Sequence, residues 1–433
     1  MHWQIAFFLL FTGLFLIKGD PTTNGNHRNK LNKIETVHKE HHKSQDRLAF
    51  LDEMLIGYDK RAWPTYGTGK PTLVTVNMYV NSIGSVNAAS MEFSMDIYLR
   101  QSWLDHRLQL YLYGTNTTIT MNGEDLIEKI WKPDLFFRNV KEADFHYVTV
   151  PNKLLRIHPN GDILFSMRLT LKLHCHMIFK HYPLDTQKCN VVLGPYAQTI
   201  DQTTIKWQDK DPIVLEQPVE LSEFDIDRFY HGSFLRSIDT GSFSFLNATF
   251  IFVRQNGYHL VQTYLPTSLI VMISWVSFWL NVDATPARVT LGVTTLLALT
   301  TVASGVRTQL PPVSYVKAID IWIGVCSVMV FGALLEFTLV NYLSRSKKKL
   351  NATQSVLHVL TRKKEESTET GTKYVNDEET KTELQINAQK LELAMNLKRA
   401  RTVDRVCRVL FPMAFLTFNL AYWPYYSLAP PHY

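Results

Sequence analysis

Carboxylates are missing from one long stretch of this chain, with none between Asp283 and Asp320. Cysteine is scarce too: four among 433 residues, which excludes a small scaffold stapled by disulfides. No metal-ligand spacing, nucleophile elbow or phosphate-binding loop occurs, so neither an enzyme nor a bound cofactor is expected. The net charge of +6 comes without a nucleic-acid-binding motif, and no nucleic-acid partner is expected.

The chain does have apolar length. Segments 259–280, 286–306, 319–343 and 405–424 are each apolar over roughly the 20 residues that cross a bilayer as a helix. Residues 1–19 carry a short apolar core from Ile5 to Ile17 followed by Lys18 and Gly19, the pattern of a secretory signal peptide. The expected order is therefore a signal over 1–19, a polar segment over 20–49 and an exported domain over 50–256. Helices one to three follow over 257–343, then a loop over 344–404, the fourth helix at 405–424 and an exterior tail over 425–433. Arg345, Lys347, Lys348 and Lys349 follow the third span, and Arg399, Arg401, Arg405 and Arg408 border the fourth, which puts the 344–404 loop in the cytoplasm and both termini outside. Residues 363–382 are charged and polar and read as mobile, and 384–399 as a partial amphipathic helix.

The exported part alternates apolar and polar residues, as in Thr72 to Val80, Met91 to Leu99 and Ile163 to Leu171, with turns such as Pro159-Asn160-Gly161-Asp162 between. Period-two runs of this kind predict an all-β, immunoglobulin-like sandwich. Cys175 and Cys189 lie here, where a disulfide is stable, and enclose thirteen residues. Cys326 and Cys407 fall in the spans and read as buried thiols. Asn116 and Asn247 begin glycosylation sequons in the exported part.

The second span is the unusual one. As a helix it places Pro286, Thr290, Thr294, Leu297 and Thr301 on one face, a stripe of hydroxyls interrupted by one leucine. Such a stripe suits a water-filled lumen, although threonines in register also join membrane helices. Leu297 is the candidate for a hydrophobic gate. Arg288 reads either as a charge ring at the mouth or as a marker of the membrane interface.

The cysteine loop contains Tyr182-Pro183-Leu184-Asp185 and an upstream segment reads Trp131-Lys132-Pro133-Asp134. With a signal peptide, a β-rich exterior, four spans and a basic third loop, these resemble the Cys-loop receptors, pentameric ligand-gated ion channels, over nearly the whole chain. His176 departs from the proline usual there. Pro286-Ala287-Arg288 is similar to the anion-selective branch, the glycine, GABA and invertebrate glutamate- or histamine-gated chloride channels. Leu310 to Asp320 looks most like the glutamate-gated type.

The resemblance implies an extracellular β-sandwich above a four-helix transmembrane bundle, a pentamer of identical or related subunits in the plasma membrane, and a postsynaptic chloride channel opened by an extracellular amino acid or amine. Five Arg288 side chains at ~8 Å in bulk-like dielectric would favour an anion by roughly 2–3 kcal/mol. The implied ligand residues are Phe136, Tyr196, Thr240 and Phe243 on one face of a subunit and Tyr98, Arg100 and Ser166 on the next. Aromatic rings suit an ammonium and Arg100 a carboxylate. Asn81 stands where glutamate-gated relatives have a second arginine, and Gly194 where glycine- and GABA-type relatives have a glutamate. Asp185, Arg254 and Lys317 are implied to couple the exterior to the pore, and Gly324 to admit a macrocyclic lactone, so that ivermectin would activate. Alternatives are gating by protons or zinc through His174, His176 and His181, a subunit that conducts only in heteromers, or a four-span adhesion protein without a pore.

Overall fold

The computed structural model describes residues 49–122, 124–218, 221–281, 284–365 and 376–428. The expected signal peptide, nearly all of the polar 20–49 segment and most of the exterior tail lie outside the described residues.

A short helix α1 (Ala49–Met54) precedes twelve strands with one brief helix among them: β1 (Thr72–Asn87), β2 (Glu92–Leu104), β3 (Ile119–Asn122), α2 (Glu124–Ile127), β4 (Leu135–Phe137), β5 (Val140–Phe145), β6 (Lys153–Ile157), β7 (Asp162–His174), β8 (Thr186–Pro195), β9 (Thr203–Trp207), β10 (Ile213–Leu215), β11 (Phe224–Ile238) and β12 (Gly241–Arg254). One sheet runs β10-β1-β2-β7-β6-β3, with β5 on β7 and β9 on β1, and a four-stranded sheet runs β11-β12-β8-β4. The alternation read in the sequence sets the faces. In β2, Phe93, Met95, Ile97, Leu99 and Trp103 are buried, while Tyr98 and Arg100 point away from the core. Burying each such side chain contributes roughly 1.5–3 kcal/mol. At the turn before β7, Gly161 takes φ +88°, and a Cβ there would meet the Asp105 carbonyl oxygen at 2.6 Å.

The predicted disulfide joins Cys175 to Cys189. Asn116 sits on an exposed loop. Asn247 does not look like a glycan acceptor: it lies inside β12 between β8 and β11, half-buried, its Nδ2 donating to Thr249 Oγ1 at 3.0 Å.

Four helices long and apolar enough to cross a membrane follow: α3 (Gly257–Trp279), α4 (Thr285–Thr308), and parts of α5 (Ala318–Glu365) and α6 (Asn376–Leu428). Each of the first two is a little longer than expected. α3 widens for one turn over Leu260–Tyr264, just ahead of Pro266, whose ring cannot follow an ordinary helical turn. The loop expected over 344–404 is largely helical, because α5 continues to Glu365 and α6 begins at Asn376 and runs unbroken through the fourth span. Of the 363–382 segment expected to be mobile, residues 366–375 lie outside the described residues; its lysines and glutamates are good helix formers, which fits the helical course on either side.

At the sandwich end of the bundle, Trp322 donates from Nε1 to Thr267 Oγ1 at 2.9 Å and lies among the rings of Tyr264, Phe415, Phe418 and Tyr422. Tyr422 joins three helices, with its hydroxyl 2.9 Å from that of Tyr264 and 3.1 Å from the Ala318 carbonyl.

Candidate functional site

An aromatic path crosses the four-stranded sheet. Tyr196 is 75% exposed, at the end of β8, and meets Phe136 of β4 edge-on at 5.4 Å. Phe136 reaches Phe245 at 6.4 Å, and Phe245 stacks on Phe234 of β11 at 5.5 Å. Asp134 shapes this turn. Its Oδ2 accepts the backbone N–H groups of Ala197, at 2.6 Å, and Gln198, at 3.2 Å. Thr240 is exposed at the β11–β12 hairpin tip. Phe243 is 6% exposed; it shares a face of β12 with Phe245, whose partner across the hairpin, Phe234, is the more exposed ring at 40%. Sequence reasoning missed Phe234 and Phe245; the signal available was their direct register across the hairpin.

A second patch lies on the other sheet. Arg100 of β2 stands directly across from Ser166 of β7. Its Nη1 donates to Asn77 Oδ1 at 3.2 Å, and its guanidinium lies over the Tyr79 ring at 5.3 Å. Asn77, Arg100, Ser102, Leu164, Lys210 and Asp211 are among the residues lining a cavity of about 490 Å³. Tyr98 packs against Tyr79 and under Arg168, which forks onto Asp96. Asn81 donates to the same Asp96 at 3.1 Å, so its amide is already engaged. The aromatic path and the cationic patch belong to opposite sheets of one subunit, so a ligand touching both needs two copies.

The second membrane helix shows two faces. Thr290, Thr294, Leu297 and Thr301 are exposed, as are Pro286 and Ala287 at its start, while Arg288, Thr295, Leu299, Ala303 and Val306 form the buried stripe opposite. Thr294 and Thr301 donate to the carbonyls of Thr290 and Leu297 at 2.7 and 2.9 Å. Arg288 corrects the expected charge ring. Its side chain is fully buried, its Nη1 and Nη2 each donate to Asp404 of α6 at 3.0 Å, and Nη2 also reaches the Leu280 carbonyl. No acidic residue lies in the first turn of α4.

Residues 47–255 match the family profile of the neurotransmitter-gated ion-channel ligand binding domain, and residues 263–399 match that of the neurotransmitter-gated ion-channel transmembrane region. The chain belongs to the neurotransmitter-gated ion-channel family. It is therefore a multi-pass membrane protein and a subunit of an oligomeric ligand-gated channel, not an enzyme, and its fold fits a pentamer.

In this channel subunit the cysteine loop grips the bundle directly. The carbonyls of Lys180 and Tyr182 accept the N–H groups of Ala318, at 2.9 Å, and Ile319, at 3.2 Å, capping the start of α5. The Phe179 N–H donates to Tyr315 Oη at 2.9 Å. Asp185 and Arg254 form a buried bidentate pair, Nε–Oδ1 2.7 Å and Nη2–Oδ2 3.2 Å, with Glu223 at 3.5 Å from Nη1. Lys317 does not join them; its ammonium lies 3.6 Å from Asp320 on its own turn. Tyr182 lies beneath the Arg254 guanidinium and contacts His259 Nε2 at 3.3 Å. Burial lifts its phenol well above the ordinary tyrosine range, keeping it a neutral hydroxyl.

Gly324 is exposed on α5, and a Cβ there would meet open space. His174 and His176 are exposed beside Cys175 and border a cavity of about 300 Å³, and the His181 ring packs on Tyr426. Among the described residues, no group of three or more His, Cys, Asp or Glu side chains could hold a metal ion.

Proposed function

We propose that the protein is a subunit of a pentameric chloride channel opened by an extracellular amino acid or amine. The observation that carries this reading is the exposed face of α4, a row of hydroxyls around Leu297 without a carboxylate. Cation pores of this architecture need acidic side chains at that mouth. With Arg288 masked by Asp404, the positive pole at the start of α4 and the absence of a carboxylate from the exposed face of α4 would supply the preference.

The exposed Tyr196 and the neighbouring Phe136 suit an ammonium group, and Arg100 with Ser166 on the next subunit suits a carboxylate. Phe243 and the more exposed Phe234 lie on one face of the β11–β12 hairpin and would add further rings. Asp185 and Arg254 would carry ligand-driven movement of the sandwich to α5 through the cysteine loop. The open flank at Gly324 leaves room for a macrocyclic lactone between neighbouring subunits.

Voltage clamp of cells expressing the chain tests the reading, with amino acids, amines, zinc and pH steps applied while external chloride is replaced. The expected result is a current to an amino acid or amine whose reversal potential follows chloride. A reversal potential that follows sodium refutes anion selectivity, and a response confined to zinc or protons refutes the ligand class.

A further inference from the structure

The buried charges at the end of the bundle farthest from the sandwich are the least expected part of the structure. Arg288 of α4, Glu336 of α5 and Asp404 of α6 meet there, and all three are at least nine-tenths buried. Asp404 takes both terminal nitrogens of Arg288. Glu336 stands within hydrogen-bonding reach of Asp404, and Arg288 Nε has no hydrogen-bond partner. The shell is apolar, made of Phe278, Ala333, Cys407 and Phe411. The next cation on α6, Arg408, is committed elsewhere, donating to the Phe278 carbonyl at 3.0 Å and lying over Trp279. A fixed charge in such surroundings acts over a longer distance than one in water.

Resting on the chloride reading above, we infer that Asp404, although it belongs to the outer helix of the bundle, is a positioning residue for permeation. It holds the Arg288 guanidinium away from the lumen and masks its charge at the cytoplasmic mouth. The sequence position explains the leverage. Arg288 directly follows Pro286 and Ala287, the exposed residues at the mouth, so a charge released at Arg288 lies one residue from the ion path.

The test is the unitary current of the full-length channel, opened by the stimulus that opens the wild type. Asp404→Asn raises the charge of the cluster by one per subunit and frees Arg288 from its partner, and chloride leaving the cytosol should carry roughly 2-fold more current, with less change in the opposite direction. Adding Arg288→Gln to that variant restores the wild-type net charge and should return the amplitude to the wild-type value. Asp404→Glu keeps the charge and should leave it there. Loss of packing alone would lower the number of channels, not the unitary current or its rectification. Unchanged unitary current in Asp404→Asn, or an increase that persists in the double variant, overturns the inference. If Asp404→Asn does not reach the surface, Arg288→Gln decides, since it leaves Asp404 unbalanced and should reduce the same current; no reduction overturns the inference. A decrease in Asp404→Asn instead of an increase keeps Asp404 as a permeation residue but refutes the chloride reading, so the two failures are distinguishable.

Discussion

Replacing Asp185 by asparagine should destabilise the junction between sandwich and membrane more than any surface change. The pair with Arg254 is closed from water, each side chain 2% exposed. Removing one partner of such a pair costs about 3–5 kcal/mol, because the other charge is left buried. Two features pull the figure to the lower end. Asparagine keeps one acceptor oxygen, and Glu223 remains 3.5 Å from Arg254, although at 67% exposure its side chain is screened by water. A loss of about 3 kcal/mol corresponds to roughly 6–12 °C in melting midpoint for a domain of this size. The assay is thermal melting of the purified full-length channel for Asp185→Asn, Arg254→Met and the double variant. The double variant should melt well above the sum of the single losses, because it leaves no orphan charge. A midpoint for Asp185→Asn within about 2 °C of wild type, with additivity within about 0.5 kcal/mol, would refute the reasoning.

Three other outcomes follow from the geometry. Leu297→Thr removes the bulky apolar residue from the exposed stripe and should leave a standing current without agonist, visible as a raised holding current that follows chloride. Arg100→Ala deletes a charge-assisted contact and should raise the half-maximal agonist concentration by roughly 10- to 100-fold with little change in unitary current. Tyr422→Phe removes the hydroxyl shared by α3, α5 and α6 and should cost about 1–2 kcal/mol, read as a lower melting midpoint.

What could be read from the sequence follows the range of the forces involved. The sandwich strands were legible because alternation is a local property and the core face of β2 follows from it residue by residue. Four membrane helices were legible for the same reason. The fate of Arg288 was not: its partner stands 116 positions away on α6, and periodicity carries no information about which helix a buried side chain will meet. The aromatic path was half legible. Phe234, Phe243 and Phe245 share one face of the β11–β12 hairpin, and how far each ring is covered depends on what packs over that face, which alternation does not show. The helical course of residues beyond 344 was hidden because charge was read as disorder, although the same residues favour helix.

On the chloride reading, the buried Arg288 changes how selectivity would arise at this mouth. Five guanidinium groups in the lumen were expected to supply roughly 2–3 kcal/mol. Five helix ends of about half a charge each, at ~6 Å in bulk-like dielectric, supply about 1–2 kcal/mol instead. A preference of that size is erased by a single ring of carboxylates, which explains why the empty stretch between Asp283 and Asp320 matters more than the arginine within it. It also assigns the arginine a different task. An unpaired guanidinium at the mouth would raise the local chloride concentration and so the current that leaves the cytosol. On the chloride reading, the helix ends would set the sign of the permeant ion while the tie of Arg288 to Asp404 would set how much extra charge the mouth can show.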